Sequence, residues 1–162
     1  MNHLQSLMRY KQWADELMHQ GVQQVPEHEL TAPRPIVFGS ILRTVYHILA
    51  MDQVWRAHLS GQTHDFTSRN PEHCPDLDTV RSKQEEMDRW YIEYADSLSS
   101  ADAGEAIEFS FIGGNPGRMT REEILLHVVN HATYHRGHVA DMMFNLSIRP
   151  PTTDYPVYLS SL

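Results

Sequence analysis

The chain has 162 residues, 41% apolar and 21% charged, with a formal net charge of −8 at pH 7. That length can bury a core unaided, so one domain spanning 1–162 is expected, and the composition excludes the disordered class. The negative balance excludes a broad electrostatic grip on nucleic acid or on an anionic membrane, and the single cysteine, Cys74, excludes an intrachain disulfide or a Cys-x-x-Cys zinc site and fits a reducing cytoplasm.

Leu4, Leu7, Met8, Ala14, Met18, Val22 and Val25 fall within an arc of about 120° at helical spacing, which predicts a first amphipathic helix. Its charges run throughout, so it reads neither as a signal peptide nor as a membrane span, and no other segment reaches spanning length. Pro26 and the APRP stretch at 32–35 stop it. Ser40 or Gly39 can open a second helix, with Ile41, Val45, Ile48, Leu49, Trp55 and Leu59 on its apolar face and Gly61 closing it. A polar loop, THDFTSRNPEHCPD, leads to Asp76 or Asp78, either of which can cap a third helix running to about Ser100. Ile107, Phe109 and Phe111 then alternate with polar residues before a GGNPG turn, predicting a short hairpin. Thr120 and Glu123 form a capping box for a fourth helix that ends near Leu146, before Arg149, Pro150 and Pro151. The expected fold is all-α: a four-helix bundle, up-and-down or crossover, with a short β-hairpin before the last helix.

That last helix holds four histidines, His127, His131, His135 and His138. With Ile124 at zero, Val128, Met142 and Leu146 project to within about 40° and fix the core direction; His131 at about 340° and His135 at about 20° lie in the middle of the same stripe. An unpartnered buried imidazole costs on the order of 1–3 kcal/mol for each lost hydrogen bond. A carbonyl or carboxylate partner is the ordinary solution for a single buried histidine. Residues four apart can instead aim two ring nitrogens at one ion, and His47, on the second helix beside Met51 and Trp55, is the candidate third donor. Three neutral imidazoles with an open fourth position suit zinc, nickel or iron. His127 and His138, nearer the margin of the stripe, are expected to support the site, and either could replace a named ligand. His3, His19, His28, His64 and His73 are expected on the surface, and His58 about 16 Å along its helix from His47, outside the site. The pair reads HATYH, without the glutamate of zinc proteases, and no Glu-x-x-His of di-iron bundles occurs. Met18, Met51, Met142, Met143, Trp55 and Trp90 are read as core. Tyr46, Asp52, Tyr134 and Arg136 are candidate proton carriers by proximity, although Tyr134 and Arg136 project away from the pair and are read as interhelix packing and surface charge.

RYKQWADELM, GSILRTVYHILAMDQVWRAHLSG, NHATYHRGHVADMM and the closing RPPTTDYPVYL together resemble the DinB family, the DinB/YfiT-like metalloenzymes, over nearly the whole length. The resemblance implies a four-helix bundle, a divalent ion held by His47, His131 and His135, and a homodimer. It also implies a small-molecule substrate, with a low-molecular-weight thiol as one cofactor, because relatives include thiol-dependent isomerases and S-transferases. A metal-dependent thiol transferase or hydrolase is therefore expected. The alternative is a non-catalytic, metal-binding, dimeric, damage-inducible protein. A nucleic-acid-binding role lacks a basic face, since Arg9, Lys11, Arg81, Lys83 and Arg89 are interleaved with acids.

Overall fold

Polar residues ahead of the four long helices, Asn2, Ser40, Asp76 and Thr120, start them by accepting otherwise orphaned N–H groups. In the computed structural model, which describes residues 2–162, the elements in order are α1 (His3–Val22), α2 (Glu27–Leu30), α3 (Ile41–Leu59), α4 (Leu77–Ser97), α5 (Ser100–Ala103), β1 (Ala106–Ser110), β2 (Pro116–Thr120), α6 (Arg121–Asn145) and α7 (Tyr155–Ser160). Asn2 and Gln5 form a capping box on α1, as Thr120 and Glu123 do on α6. Ser40, not Gly39, caps α3, and Asp76, not Asp78, caps α4. Gly61, at φ 65°, ends α3 in a left-handed turn: its N–H donates to the His58 carbonyl, and that of Gln62 to the Ala57 carbonyl.

Three boundaries differ from expectation. The first helix stops at Val22 because the Gln24 and Val25 amides turn back three residues, to Gly21 and Val22. The third stops at Ser97: Leu98 is extended, and Ser99 caps α5 as a separate turn. In the hairpin, Pro116 and Gly117 belong to β2, with Ser110 opposite Pro116, so the turn is residues 111–115. Beyond Pro150 and Pro151, the tail forms one further short helix. Helix α7 lays Tyr158 against Tyr10 and Trp13 of α1, and the Tyr10 hydroxyl donates to the Thr153 carbonyl at 2.8 Å.

Helix α1 packs against α4 and α6, and α3 packs against the same two, so α1 and α3 lie across a diagonal of the bundle. This is the crossover arrangement, and the long 23–40 link spans it. Ile41, Leu49, Val80, Ile124, Leu125, Val128 and Met143 are fully buried where the four helices meet. No helix of the described residues is long and apolar enough to cross a membrane.

Candidate metal centre

Helices α3 and α6 are neighbours, and their facing surfaces bring His47, His131 and His135 together, with one nitrogen of each within 4.8 Å of the others. His47 Nε2 and His131 Nε2 are 3.0 Å apart. Two nitrogens bound tetrahedrally to one zinc at about 2.0–2.1 Å would be roughly 3.3 Å apart, so the spacing fits a shared ion.

The loop after α3 fixes which His47 nitrogen faces the centre. Arg43, one turn before His47, donates to Asn70 Oδ1 (3.1 Å) and to the Pro71 (2.8 Å) and Glu72 (3.3 Å) carbonyls. That anchor holds the Arg69 carbonyl 2.6 Å from His47 Nδ1. A carbonyl can only accept, so Nδ1 carries the proton and the Nε2 lone pair points at His131. Phe38 stacks on the same ring, at 3.8 Å between centroids and 21° between planes. His135 Nδ1 is paired with His138 Nδ1 at 3.3 Å; with His135 as donor, its Nε2 is left free for the centre. His131 Nδ1 is buried and has no partner among the described residues.

All three imidazoles are held neutral, as metal ligands must be. Burial lowers His47 to about 4 against the opposing effect of its hydrogen bond to the Arg69 carbonyl. Burial, then the neighbouring His135 and His47, lowers His131 to about 2. His135 falls to about 4 through burial and then His47 and His138. The donor set and its protonation state therefore fit a divalent ion, without choosing among zinc, nickel and iron.

The three rings sit in a cleft of about 1130 Å³. Its walls come from the 35–38 and 68–70 segments, α3, the hairpin turn and α6, and among the described residues no Asp, Glu, Lys or Cys lines it. His127 and His138 line it too, His127 standing edge-on to Trp55 at 4.9 Å. His58 is not among the converging three, yet it lines the same cleft.

Several expectations need correcting. Tyr134 is not interhelix packing: it is 63% exposed, lines the cleft, and meets His135 and His138 edge-on. Arg136 is not surface charge but is buried, with its guanidinium 2.6 Å from Asp15. Asp52 is also buried, in a cluster away from the cleft, and Tyr46 does not line the cleft. Met51 and Trp55, read as core, line the cleft as well. His19 is buried, and burial lowers its pKa; His64 is half-buried; His3, His28 and His73 are exposed as expected.

The cluster holding Asp52 is a second group with metal-like geometry. Asp15, Asp52 and Asp88 converge as closely as the histidines do, but Lys11 Nζ already lies 2.7, 2.7 and 2.6 Å from them. Gln84 donates to Asp52 and Asp88. Lys11 and Asp15 fall in the gaps of the apolar stripe of α1, between Met8, Ala14 and Met18, and that pattern could have revealed them from the sequence.

A helical bundle with a three-imidazole candidate metal centre on facing helices is the class that this geometry defines. The chain belongs to the DinB family, whose model matches residues 1–161. It is 27% identical over 158 residues to Protein DinB of Bacillus subtilis (strain 168), covering 94% of this chain and 91% of that one. Two solved structures share the fold: a DinB-like protein from Bacillus cereus ATCC 10987 (TM-score 0.66, 16% identity, 90% of this chain and 94% of that one) and a conserved protein from Enterococcus faecalis (TM-score 0.61, 11% identity, 88% and 95%).

Proposed function

We propose that this chain is a divalent-metal-dependent enzyme, a thiol transferase or a hydrolase, whose ion is held by His47, His131 and His135. The observation that carries this reading is the position of three neutral imidazoles in a large cleft that offers no carboxylate or thiolate to close the coordination sphere. A divalent ion there would supply Lewis acidity, lowering the pKa of a thiol or a water near neutral pH. The chain's own residues do the rest: the Arg69 carbonyl and Phe38 orient His47, and His138 orients His135. Tyr134 and His127, which line the cleft, would be the groups to exchange protons with a bound molecule. The proposal extends to a small-molecule substrate, a low-molecular-weight thiol as the transferable nucleophile, and a homodimer working in the cytoplasm.

The test is metal content by mass spectrometry on untagged protein, wild type beside H131A and H135A. Near-stoichiometric zinc, nickel or iron in the wild type and none in either variant is expected, followed by thiol-dependent turnover of electrophiles or hydrolysis of esters. A wild type that neither carries metal nor gains melting temperature from added zinc or nickel would show that the histidines are core polar residues.

A further inference from the structure

An ion with one activated water or sulfur needs only a small part of about 1130 Å³, a volume just above the range of roughly 300–1,000 Å³ usual for small-molecule sites. The remainder of the cleft has a consistent character. Met51, Val54 and Trp55 present one apolar face of α3, and the hairpin turn adds Phe111 and Ile112. The Trp55 and Phe111 rings are 6.4 Å apart and nearly perpendicular, both braced by Phe109, at 5.0 Å from each. A side chain at Gly117 would come within 2.5 Å of the Phe109 ring and 2.9 Å of the Phe111 ring, so the two rings lie directly over that glycine. Phe111 is nevertheless 48% exposed, and Val37, which lines the same cleft, is 69% exposed. Apolar surface of this kind, left wet beside a polar centre, is the mark of a ligand site.

Charge narrows the ligand further. The chain carries 21 acidic residues, yet among the described residues none lines this cleft, and the only permanently charged one that does is Arg69. Together with an ion at the histidines, that favours a neutral or anionic molecule and disfavours a cationic one.

Resting on the metal-centre reading, we infer that the substrate is a two-ended molecule. An oxygen- or sulfur-bearing head, neutral or anionic, binds at the histidines, and an aromatic or branched apolar tail lies against Trp55 and the hairpin turn, with Phe111 and Ile112 determining specificity. The hairpin is thus the element that selects the substrate.

Two probes sharing a head group test this on the zinc-loaded chain by calorimetry: acetohydroxamate and 4-phenylbutanohydroxamate. Burying the phenyl tail should tighten binding by about 10- to 100-fold over acetohydroxamate. F111A, whose fold is checked by circular dichroism, should remove about tenfold of that advantage and leave acetohydroxamate unchanged, and F111W should restore it. Equal affinity for the two probes, or an advantage untouched by F111A, overturns the inference. A third arm keeps this outcome distinct from failure of the metal reading. On metal-free protein, 4-phenylbutan-1-ol should change tryptophan fluorescence in the wild type and not in F111A. If the chain holds no zinc but this response is seen, the apolar subsite stands without the ion; if the response is absent as well, it falls.

Discussion

Among the described residues the bundle contains two clusters of convergent potential metal ligands, three histidines between α3 and α6 and three aspartates around Lys11, and by donor spacing alone they are equivalent. They differ in charge and access. The aspartate cluster carries its own cation, with the Lys11 ammonium within hydrogen-bond distance of all three carboxylates and Arg136 on Asp15, and every member is buried. The histidine cluster is neutral, has no internal cation and opens onto a cleft. Ligand geometry is thus a weak criterion for a metal site; unmet coordination together with a path for solvent is a stronger one.

Removing the internal cation should have the largest effect. K11A leaves three buried carboxylates facing one guanidinium, and stability measured by urea unfolding should fall by about 3–5 kcal/mol. A loss under about 1 kcal/mol would mean that the cluster is hydrated and not closed. At the other cluster, H131A should barely lower the stability of metal-free protein but weaken zinc binding at least 100-fold, about 2.7 kcal/mol, by calorimetric titration. Equal losses of stability in K11A and in metal-free H131A would erase the distinction between the two clusters.

The charge count sharpens the contrast. With three carboxylates against Lys11 and Arg136, one carboxylate is in excess. Burial, then crowding by Asp15 and Asp52, raises Asp88 to about 7 despite Lys11. Asp15 goes the other way: burial pushes it up, but Lys11 and Arg136 hold it below its ordinary value. Between about pH 4 and 7 the unfolded chain gives up the Asp88 proton while the folded chain keeps it, so this group lowers stability as pH rises through that window and adds no slope above it. D88N should remove the decline, gaining about 2 kcal/mol relative to wild type between pH 5 and pH 8 in paired unfolding curves. An unchanged difference across that range would place the proton elsewhere. The smallest effect is expected from R43A, which touches no candidate ligand but frees the loop that presents the Arg69 carbonyl to His47. Zinc affinity should drop about tenfold, with little change in the metal-free melting temperature.

Much of this was legible in the residues. Helical periodicity located the four long helices, and the same projection that put His131 and His135 on the core stripe identified the pair that meets His47. Applied evenly, it would also have found Lys11 and Asp15, which occupy stripe positions on α1 as plainly as the histidines do on α6. Tyr134 and Arg136 were misplaced for a related reason. A single core direction describes a helix with one buried face, whereas α6 touches both α1 and α3, so a residue turned away from one partner can be buried against another or can edge a cleft.

The sequence by itself determined the four long helices, narrowed the N-caps of the last three to one or two residues and showed which side chains share a face, because these depend on residues three or four apart along one chain segment. Only the tertiary structure decided what each face meets: Lys11 with Asp88 and Asp52, Arg136 with Asp15, His47 with the Arg69 carbonyl, and the hairpin turn with Trp55. Those pairings join distant segments, and local periodicity carries no information about which faces the crossover brings together.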